Sequence, residues 1–276
     1  MPQSLRLVEP PRPAPRPSGP RRDDFGFDRA FSESLQPLAE WFYREYWRVE
    51  AEGLENVPAQ GRALLVANHA GVIPWDGAMI RTAITAGHPS PRYARMLVAG
   101  WAFAVPYLGE VLLKTGNVLA HPDNAIALLE RDELVGVFPE GIKGATKPFR
   151  DRYRVGRFAR GGFIQVALQA GAPIIPVSVV GSEEVHPVVH ELPWRADLLG
   201  LPAFPITPIW PALGLLGLLP LPSKWLIRFG EPIDLRAHGA DAASDPATVL
   251  KLSERVRGRI QDGLFDLLPR RRTPFF

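Results

Sequence analysis

His69 and Asp76 are the residues of this sequence best suited to do chemistry, because they place an imidazole and a carboxylate in one short segment. A histidine can take the proton from a hydroxyl group while that hydroxyl attacks a carbonyl carbon. A carboxylate that accepts a hydrogen bond from the other ring nitrogen fixes the tautomer and orientation of the ring. We therefore expect His69 to act as a general base and Asp76 to orient it. Alternatively, His69 is a structural histidine at a strand end and Asp76 is the N-cap of a helix.

The elements that must position this pair are a strand and a helix. The apolar run 63–67 predicts a buried strand, and residues 76–80 predict the start of a helix. His69 and Asp76 then flank a strand-to-helix turn, which is a common ligand-binding position in α/β folds.

A second motif, Phe138-Pro139-Glu140-Gly141, follows the apolar run 134–137 further along the chain. We expect Glu140 to position a substrate, and we expect Gly141 to permit close approach of the backbone. The alternative for Glu140 is a carboxylate that satisfies free N–H groups at a helix N-terminus.

Together the two motifs resemble the signature of the glycerolipid and lysophospholipid acyltransferases, and the resemblance extends over residues 52–235. It implies transfer of a fatty acyl group from acyl-CoA or an acyl carrier protein to a lipid hydroxyl, with no further cofactor. Residues 53–58, 116–119 and 172–177 resemble additional blocks of the family. By this resemblance, the substrate-binding residues would be Asn68, Glu140, Gly141, Lys143 and Gly116.

Two departures from the common family pattern leave the acceptor open. Six residues separate His69 from Asp76 where the common form has four, as in a branch resembling monoacylglycerol and diacylglycerol acyltransferases. Pro122 occupies the position of an arginine thought to grip the acceptor phosphate, and proline carries no charge. A neutral glyceride and a lysophospholipid therefore both fit, and a 1-acylglycerol-3-phosphate acyltransferase proper is a further alternative. A non-catalytic lipid-binding protein, whose wider turn has lost the His-Asp alignment, is the alternative from another class.

Composition excludes several other mechanisms. The sequence contains no cysteine, so an acyl-cysteine intermediate, a disulfide framework and a thiolate metal site are all impossible. It also lacks the Gly-x-Ser-x-Gly motif of serine hydrolases. Residues 183–191 gather three carboxylates and two imidazoles, but Pro187 opposes a helix that would align the imidazoles. We expect this segment to be a polar rim of the site or a solvated loop, and we predict no metal.

Two segments predict contact with a membrane surface. Residues 201–223 carry no charge but contain six prolines, which argues against a spanning helix and favours a surface loop or lid. Trp210 and Leu215 would insert from this loop, unless the segment is a buried connection. Residues 143–160 contain seven basic side chains and one acidic one, a net charge of +6. Such a segment attracts anionic headgroups and coenzyme A phosphates, and nucleic acid is not an expected partner. The predicted contacts are Lys147, Arg150, Arg152 and Arg154.

Length and patterning predict a single α/β domain with a central, mostly parallel or mixed sheet flanked by helices. We expect a disordered Pro/Arg-rich tail at 1–26, the acyltransferase domain at 27–268 and a basic tail at 269–276. The N-terminal region lacks a signal-peptide core, which favours a cytoplasmic protein bound peripherally to the inner face of the membrane. Strands are predicted near 47–51, 62–67, 94–99, 134–138, 174–180 and 225–230, and helices near 28–45, 76–86, 122–131, 158–170 and 246–267.

Overall fold

The structure, a computed structural model, describes residues 22–71, 73–158, 161–192, 196 and 203–275. The described part of the chain forms one seven-stranded sheet with the strand order β1-β9-β6-β2-β5-β3-β4, and β7 pairs with β8 outside it. The strands are β1 (Glu50–Glu52), β2 (Ala63–Ala67), β3 (Ala94–Val98), β4 (Val118–Leu119), β5 (Leu134–Val137), β6 (Ile174–Val180), β7 (His190–Glu191), β8 (Pro205–Ile206) and β9 (Leu226–Phe229).

The sheet is mixed, and its central strands are parallel. β6, β2, β5, β3 and β4 run in one direction, whereas β9 pairs antiparallel with β6 and β1 pairs parallel with β9. The five parallel strands therefore end at the same side of the sheet, which we call the carboxyl edge. Both predicted motifs lie there, because His69 follows β2 and residues 138–141 follow β5.

Helices cover both faces of the sheet. They are α1 (Arg29–Trp41), α2 (Trp75–Gly87), α3 (Gly100–Phe103), α4 (Leu108–Lys114), α5 (Pro122–Glu130), α6 (Ile142–Ala145), α7 (Gly162–Gln169) and α8 (Pro246–Leu267). Leu64 and Val66 of β2 pack with α5, α7 and α8, whereas Leu65 packs with α2 on the other face. This alternation follows from the two-residue period of a strand. Each fully buried aliphatic side chain of these two cores contributes about 1.5–3 kcal/mol of transfer free energy.

The predicted fold class is confirmed, and the long, strongly patterned elements lie close to their predicted positions. Among the strands, the first shows the largest shift, from 47–51 to 50–52, because Trp47 and Val49 donate backbone hydrogen bonds that close the π-helical turn Phe42–Tyr46. The short elements α3, α4, α6, β4, β7 and β8 were not predicted, since two to seven residues carry too little periodicity. In the described part of the chain, no helix is both long and apolar enough to cross a bilayer.

Described residues of both predicted tails pack on the domain. Residues 1–21 lie outside the described residues, but the Asp23 carboxylate accepts hydrogen bonds from the backbone of Phe25 and Phe27 and pairs with Arg95. Residues 22–26 are therefore part of the domain. At the other end, the Arg271 guanidinium is buried against Glu184, so the predicted basic tail packs on the domain as well.

Candidate active site

His69 and Asp76 are in direct contact despite the six residues between them. The Nδ1 atom of His69 lies 2.7 Å from the Oδ2 atom of Asp76. Oδ2 also accepts a hydrogen bond from the backbone of Ala70, and Oδ1 accepts one from Gly77. These backbone donors fix the carboxylate at the start of α2, so the longer turn preserves the predicted pairing.

The hydrogen-bonding roles within this pair follow from the chemistry of the two groups. An ionised carboxylate can only accept, so Nδ1 of His69 is the donor and Nε2 is left with its lone pair. Nε2 has no hydrogen-bond partner among the described residues. The side chain of His69 is 15% exposed, whereas that of Asp76 is fully buried. The ring is thus oriented from within the protein and can be reached by a substrate from outside.

Phe138 and Gly144 both pack against His69, and sequence reasoning had assigned neither a role. The Phe138 ring stacks on His69 with ring centroids 4.4 Å apart. Gly144, in α6, lies so close that an added Cβ would be 3.1 Å from the His69 Cβ and 2.5 Å from the Glu140 Cβ. The glycine spacing of residues 141–144 was the available signal for this close approach.

Glu140 supports His69 and does not face a substrate. Its Oε1 atom accepts a hydrogen bond from the His69 backbone N–H at 3.0 Å. Its Oε2 atom accepts one from the Gly156 backbone at 2.7 Å and lies 3.2 Å from Lys147 Nζ. Both oxygens are therefore engaged within the protein, and the side chain is 2% exposed. The expectation that Glu140 contacts the acceptor is corrected to a positioning role, and the helix N-terminus alternative does not hold either.

Asn68 is also structural and does not bind a substrate. Its side-chain amide donates to the Val179 carbonyl at 3.0 Å, and its side-chain oxygen accepts from the Val179 N–H at 2.8 Å. This reciprocal pair continues the β2–β6 ladder by one step beyond β2. Because Asn68 is completely buried, the prediction of substrate contact was wrong.

The remaining predicted substrate residues divide into two groups. Gly116 precedes β4, which is the third strand from β2 in the sheet, and the strand register places it level with Leu64. It therefore lies roughly 20 Å from His69. Its carbonyl accepts a hydrogen bond from the buried Arg95 side chain, so Gly116 is not a substrate residue. Gly141 and Lys143 are exposed at the carboxyl edge, in and beside α6. These two residues stay as candidates for substrate contact.

Lys147 lies in a buried ion-pair cluster and is not available to a membrane or to coenzyme A. Its Nζ atom is 3.2 Å from Glu140 Oε2 and 3.0 Å from Glu183 Oε1. Burial opposes the charge of Lys147, but Glu183 and then Glu140 outweigh this effect and raise the pKa of Lys147 above its ordinary value. The predicted surface contact of Lys147 is therefore wrong, because two carboxylates draw the side chain inward.

The acidic segment 183–191 begins inside the protein, contrary to the expectation of a solvated loop or polar rim. Glu184 accepts hydrogen bonds from the Tyr153 hydroxyl at 2.5 Å and the Ser223 hydroxyl at 2.8 Å, and it pairs with Arg271. His186 is buried and donates from Nε2 to the Leu218 carbonyl; burial lowers its pKa. Among the described residues, no group of three His, Cys, Asp or Glu side chains is arranged to hold a metal ion.

Some of the residues predicted to contact a membrane or coenzyme A are exposed, and others are not. Arg150, Arg152 and Arg154 are exposed, and the guanidinium of Arg152 lies 4.4 Å from the centre of the Phe149 ring. Trp210 is only half-exposed and packs on Phe204. The side chain of Leu215 lies outside the described part of the structure. Three leucines on either side of it are more than half exposed: Leu213, Leu216 and Leu219. The alternative of a buried connection therefore does not hold for this part of the segment.

Comparison with known proteins agrees with this geometry. An acyltransferase family model matches residues 48–180. An uncharacterized protein of Mycobacterium tuberculosis is 48% identical over 255 residues, which cover 92% of this chain and 71% of that protein. A human protein named "DGAT1/2-independent enzyme synthesizing storage lipids" is 30% identical over 131 residues, which cover 46% of this chain and 38% of that protein.

Among solved structures, the fold resembles that of the 1-acyl-sn-glycerophosphate (LPA) acyltransferase PlsC from Thermotoga maritima. The TM-score is 0.53 at 19% identity, and the match covers 86% of this chain and 78% of that structure. The span matched by the family model contains His69, Asp76 and Glu140. Residues 48–180 therefore belong to the acyltransferase family, and the fold of the chain is similar to that of a lysophosphatidic acid acyltransferase.

Proposed function

We propose that this protein transfers a fatty acyl group from acyl-CoA, or from an acyl carrier protein, to the hydroxyl of a glycerolipid or lysophospholipid. The observation that carries the proposal is the 2.7 Å contact between His69 Nδ1 and the buried Asp76 carboxylate. This contact leaves Nε2 as a base on the accessible side of the ring. A general base in such a position typically accelerates proton transfer by about 10²–10⁴-fold.

The proposed reaction is a direct attack within a ternary complex. Nε2 of His69 takes the proton of the acceptor hydroxyl as its oxygen bonds to the thioester carbon. The carbon–sulfur bond then breaks, and the leaving thiolate receives the proton from the imidazolium. Ile142 and Lys143 have backbone N–H groups that donate to no acceptor among the described residues. We assign these two groups to stabilisation of the oxyanion.

The acceptor is proposed to be a neutral glyceride or a lysophospholipid with a larger headgroup. Pro122 begins α5 at the carboxyl edge and offers no charge to a phosphate. Exposed arginines between residues 150 and 157 could bind a phosphate instead, which keeps the lysophosphatidic acid alternative open. The names of the human and Thermotoga relatives support one acceptor class each, since they refer to storage lipids and to lysophosphatidic acid.

We further propose that the enzyme works on the cytoplasmic face of a membrane as a peripheral protein. Arg150, Arg152 and Arg154 would attract anionic headgroups, and the exposed leucines between 213 and 219 would insert among lipids. The alternative of a non-catalytic lipid-binding protein depended on a misaligned turn, and the His69 to Asp76 contact removes that reason.

The test is an assay of purified protein with radiolabelled acyl-CoA or acyl carrier protein. The acceptors are lysophosphatidic acid, lysophosphatidylcholine, monoacylglycerol and diacylglycerol. We expect at least one labelled ester product that the His69→Ala variant does not form. Absence of product with every donor and acceptor pair would overturn the proposal and favour a lipid-binding role.

A further inference from the structure

A short helical hairpin carries an unusual amount of exposed apolar surface beside the candidate site. It consists of α3, the turn 104–107 and α4. Five large apolar side chains of this hairpin are exposed to solvent: Trp101, Tyr107, Leu108, Val111 and Leu113. Exposed apolar surface of this kind is characteristic of a binding face.

The hairpin is a compact and preformed element. Gly109 of α4 packs so closely on α3 that an added Cβ would lie 2.2 Å from the Phe103 carbonyl oxygen. Ala102 is buried beneath it. Tyr107 has a φ angle of 65°, which is strained for an aromatic residue, and its side chain is 90% exposed. The fold thus holds a large aromatic ring in solvent at the tip of the hairpin, although this conformation carries a cost.

The hairpin begins at the same level as the catalytic pair. His69, Glu140 and Gly100 follow the carboxyl ends of β2, β5 and β3, and β5 lies between the other two strands. Gly100 is two strands across from His69, a separation of about 10 Å. The exposed leucines between 213 and 219 lie on the opposite side of His69, because the Leu218 carbonyl of this loop accepts a hydrogen bond from His186, which follows β6, the other neighbour of β2. Two apolar surfaces therefore flank the site at the carboxyl edge.

The charges at this edge indicate which kind of partner covers the apolar surfaces. Exposed basic side chains follow β5 near the candidate site: Lys143, Arg150, Arg152, Arg154 and Arg157. Asp151 is the one acid between residues 143 and 157. Apolar surfaces on both sides of a basic centre complement an anionic lipid bilayer, which presents negative headgroups above an apolar interior.

We infer that the carboxyl edge of the sheet is the bilayer-facing side of this protein, and that the α3/α4 hairpin inserts into an anionic membrane with Tyr107 at its tip. The inference deepens the proposed function, since a membrane acceptor must reach His69. It also names a membrane-inserting element outside residues 201–223. The hairpin and the 213–219 loop would hold the bilayer on both sides of the site.

Because the chain contains no cysteine, single cysteines can be labelled without removing native ones. We would label Tyr107→Cys with the environment-sensitive fluorophore NBD and add phosphatidylglycerol-rich vesicles. The matched control is Phe265→Cys, an exposed apolar position on α8 that belongs neither to the hairpin nor to the 213–219 loop. We expect a blue shift and an increase in emission of about twofold or more at position 107, and no change at 265.

A binding measurement complements the fluorescence. The triple variant Trp101→Ser, Tyr107→Ser and Leu108→Ser should sediment with these vesicles at least about tenfold more weakly. The control variant Leu250→Ser and Phe265→Ser removes exposed apolar surface elsewhere and should bind like the unmodified protein. If the triple variant fails to fold, Tyr107→Gly relieves the positive φ angle and removes the aromatic ring, so it should fold and still lose binding.

The outcomes separate this inference from the proposed function, because neither measurement requires acyl transfer. Vesicle-dependent emission at position 107 in a protein without transferase activity would sustain the inference and overturn the proposed function. Equal emission changes at 107 and 265, or unchanged sedimentation of the variants, would overturn the inference. A blue shift that depends on protein concentration without vesicles would assign the hairpin to self-association and would also overturn it.

Discussion

The backbone N–H of His69 donates to the Oε1 atom of Glu140 at 3.0 Å, so the second motif of this sequence holds the first. Asp76 orients the ring of His69, and Glu140 fixes its main chain from the neighbouring strand. Glu140 is in turn paired with Lys147, which is paired with Glu183 after β6. The histidine is therefore held by residues that follow three adjacent strands, β2, β5 and β6.

The His69→Ala variant should lose acyl transfer by about a hundredfold or more, because it lacks the proposed base. The His238→Ala variant is a matched control, since His238 is exposed and far along the chain. Initial rates with saturating acyl donor measure the effect, and thermal unfolding establishes that both variants fold. A folded His69→Ala variant with the normal rate would contradict the mechanism.

The Asp76→Asn variant should be nearly as inactive as His69→Ala, with a loss on the order of a hundredfold or more. The amide that replaces the carboxylate can donate to Nδ1 and so stabilise the wrong tautomer of His69. The exposed Asp123→Asn change serves as the control. A full rate in Asp76→Asn would reduce Asp76 to a helix-start residue that binds backbone N–H groups.

The Gly144→Ala variant should lower kcat by about tenfold or more, since small displacements of catalytic groups have large effects on rate. The added methyl group would meet both Glu140 and His69 and displace the imidazole. Gly258→Ala is the control, because an added Cβ there meets nothing within 4 Å. We expect a loss of rate for Gly144→Ala and none for Gly258→Ala. Equal rates for the two variants would show that α6 can shift to accommodate the added methyl group.

The Lys147→Met variant should lose about 3–5 kcal/mol of unfolding free energy, because it leaves Glu140 and Glu183 buried without their cation. Chemical denaturation measures this loss, with Lys147→Arg as the charge-preserving variant and the exposed Lys143→Met as the control. In the folded Lys147→Met variant, the two buried carboxylates should bind a proton at a higher pH than they do in the unfolded chain. Its stability relative to the unmodified protein should therefore increase as the pH falls from 8 to 5.

Acceptor preference is decided by competition at equal concentrations. We expect neutral glycerides, or lysophospholipids with larger headgroups, to react at least as well as lysophosphatidic acid. The physical reason is that each charge-assisted hydrogen bond missing from a phosphate site costs about 1.5–3 kcal/mol. A preference of tenfold or more for lysophosphatidic acid, equivalent to about 1.4 kcal/mol, would contradict this expectation. Lysophosphatidic acid would then be the acceptor, and cations other than the missing arginine would bind its phosphate.

The sequence by itself determined the features that depend on local pattern. The buried strand β2, the helix α8 over 246–267 and the pairing of His69 with Asp76 were all predicted correctly. Each of these depends on residues within one element or one turn. Spacing along the chain is enough to predict which side chains share a face or flank a turn.

Only the tertiary structure decided which polar residues face a substrate and which hold the site together. Asn68 binds Val179, Glu140 binds His69 and Gly156, and Lys147 turns inward to Glu183. These partners come from distant parts of the chain, and no local sequence pattern predicts them. A buried polar group must find a hydrogen-bond partner wherever the fold supplies one. Its role is therefore set by packing between strands, and spacing along the sequence does not reveal it.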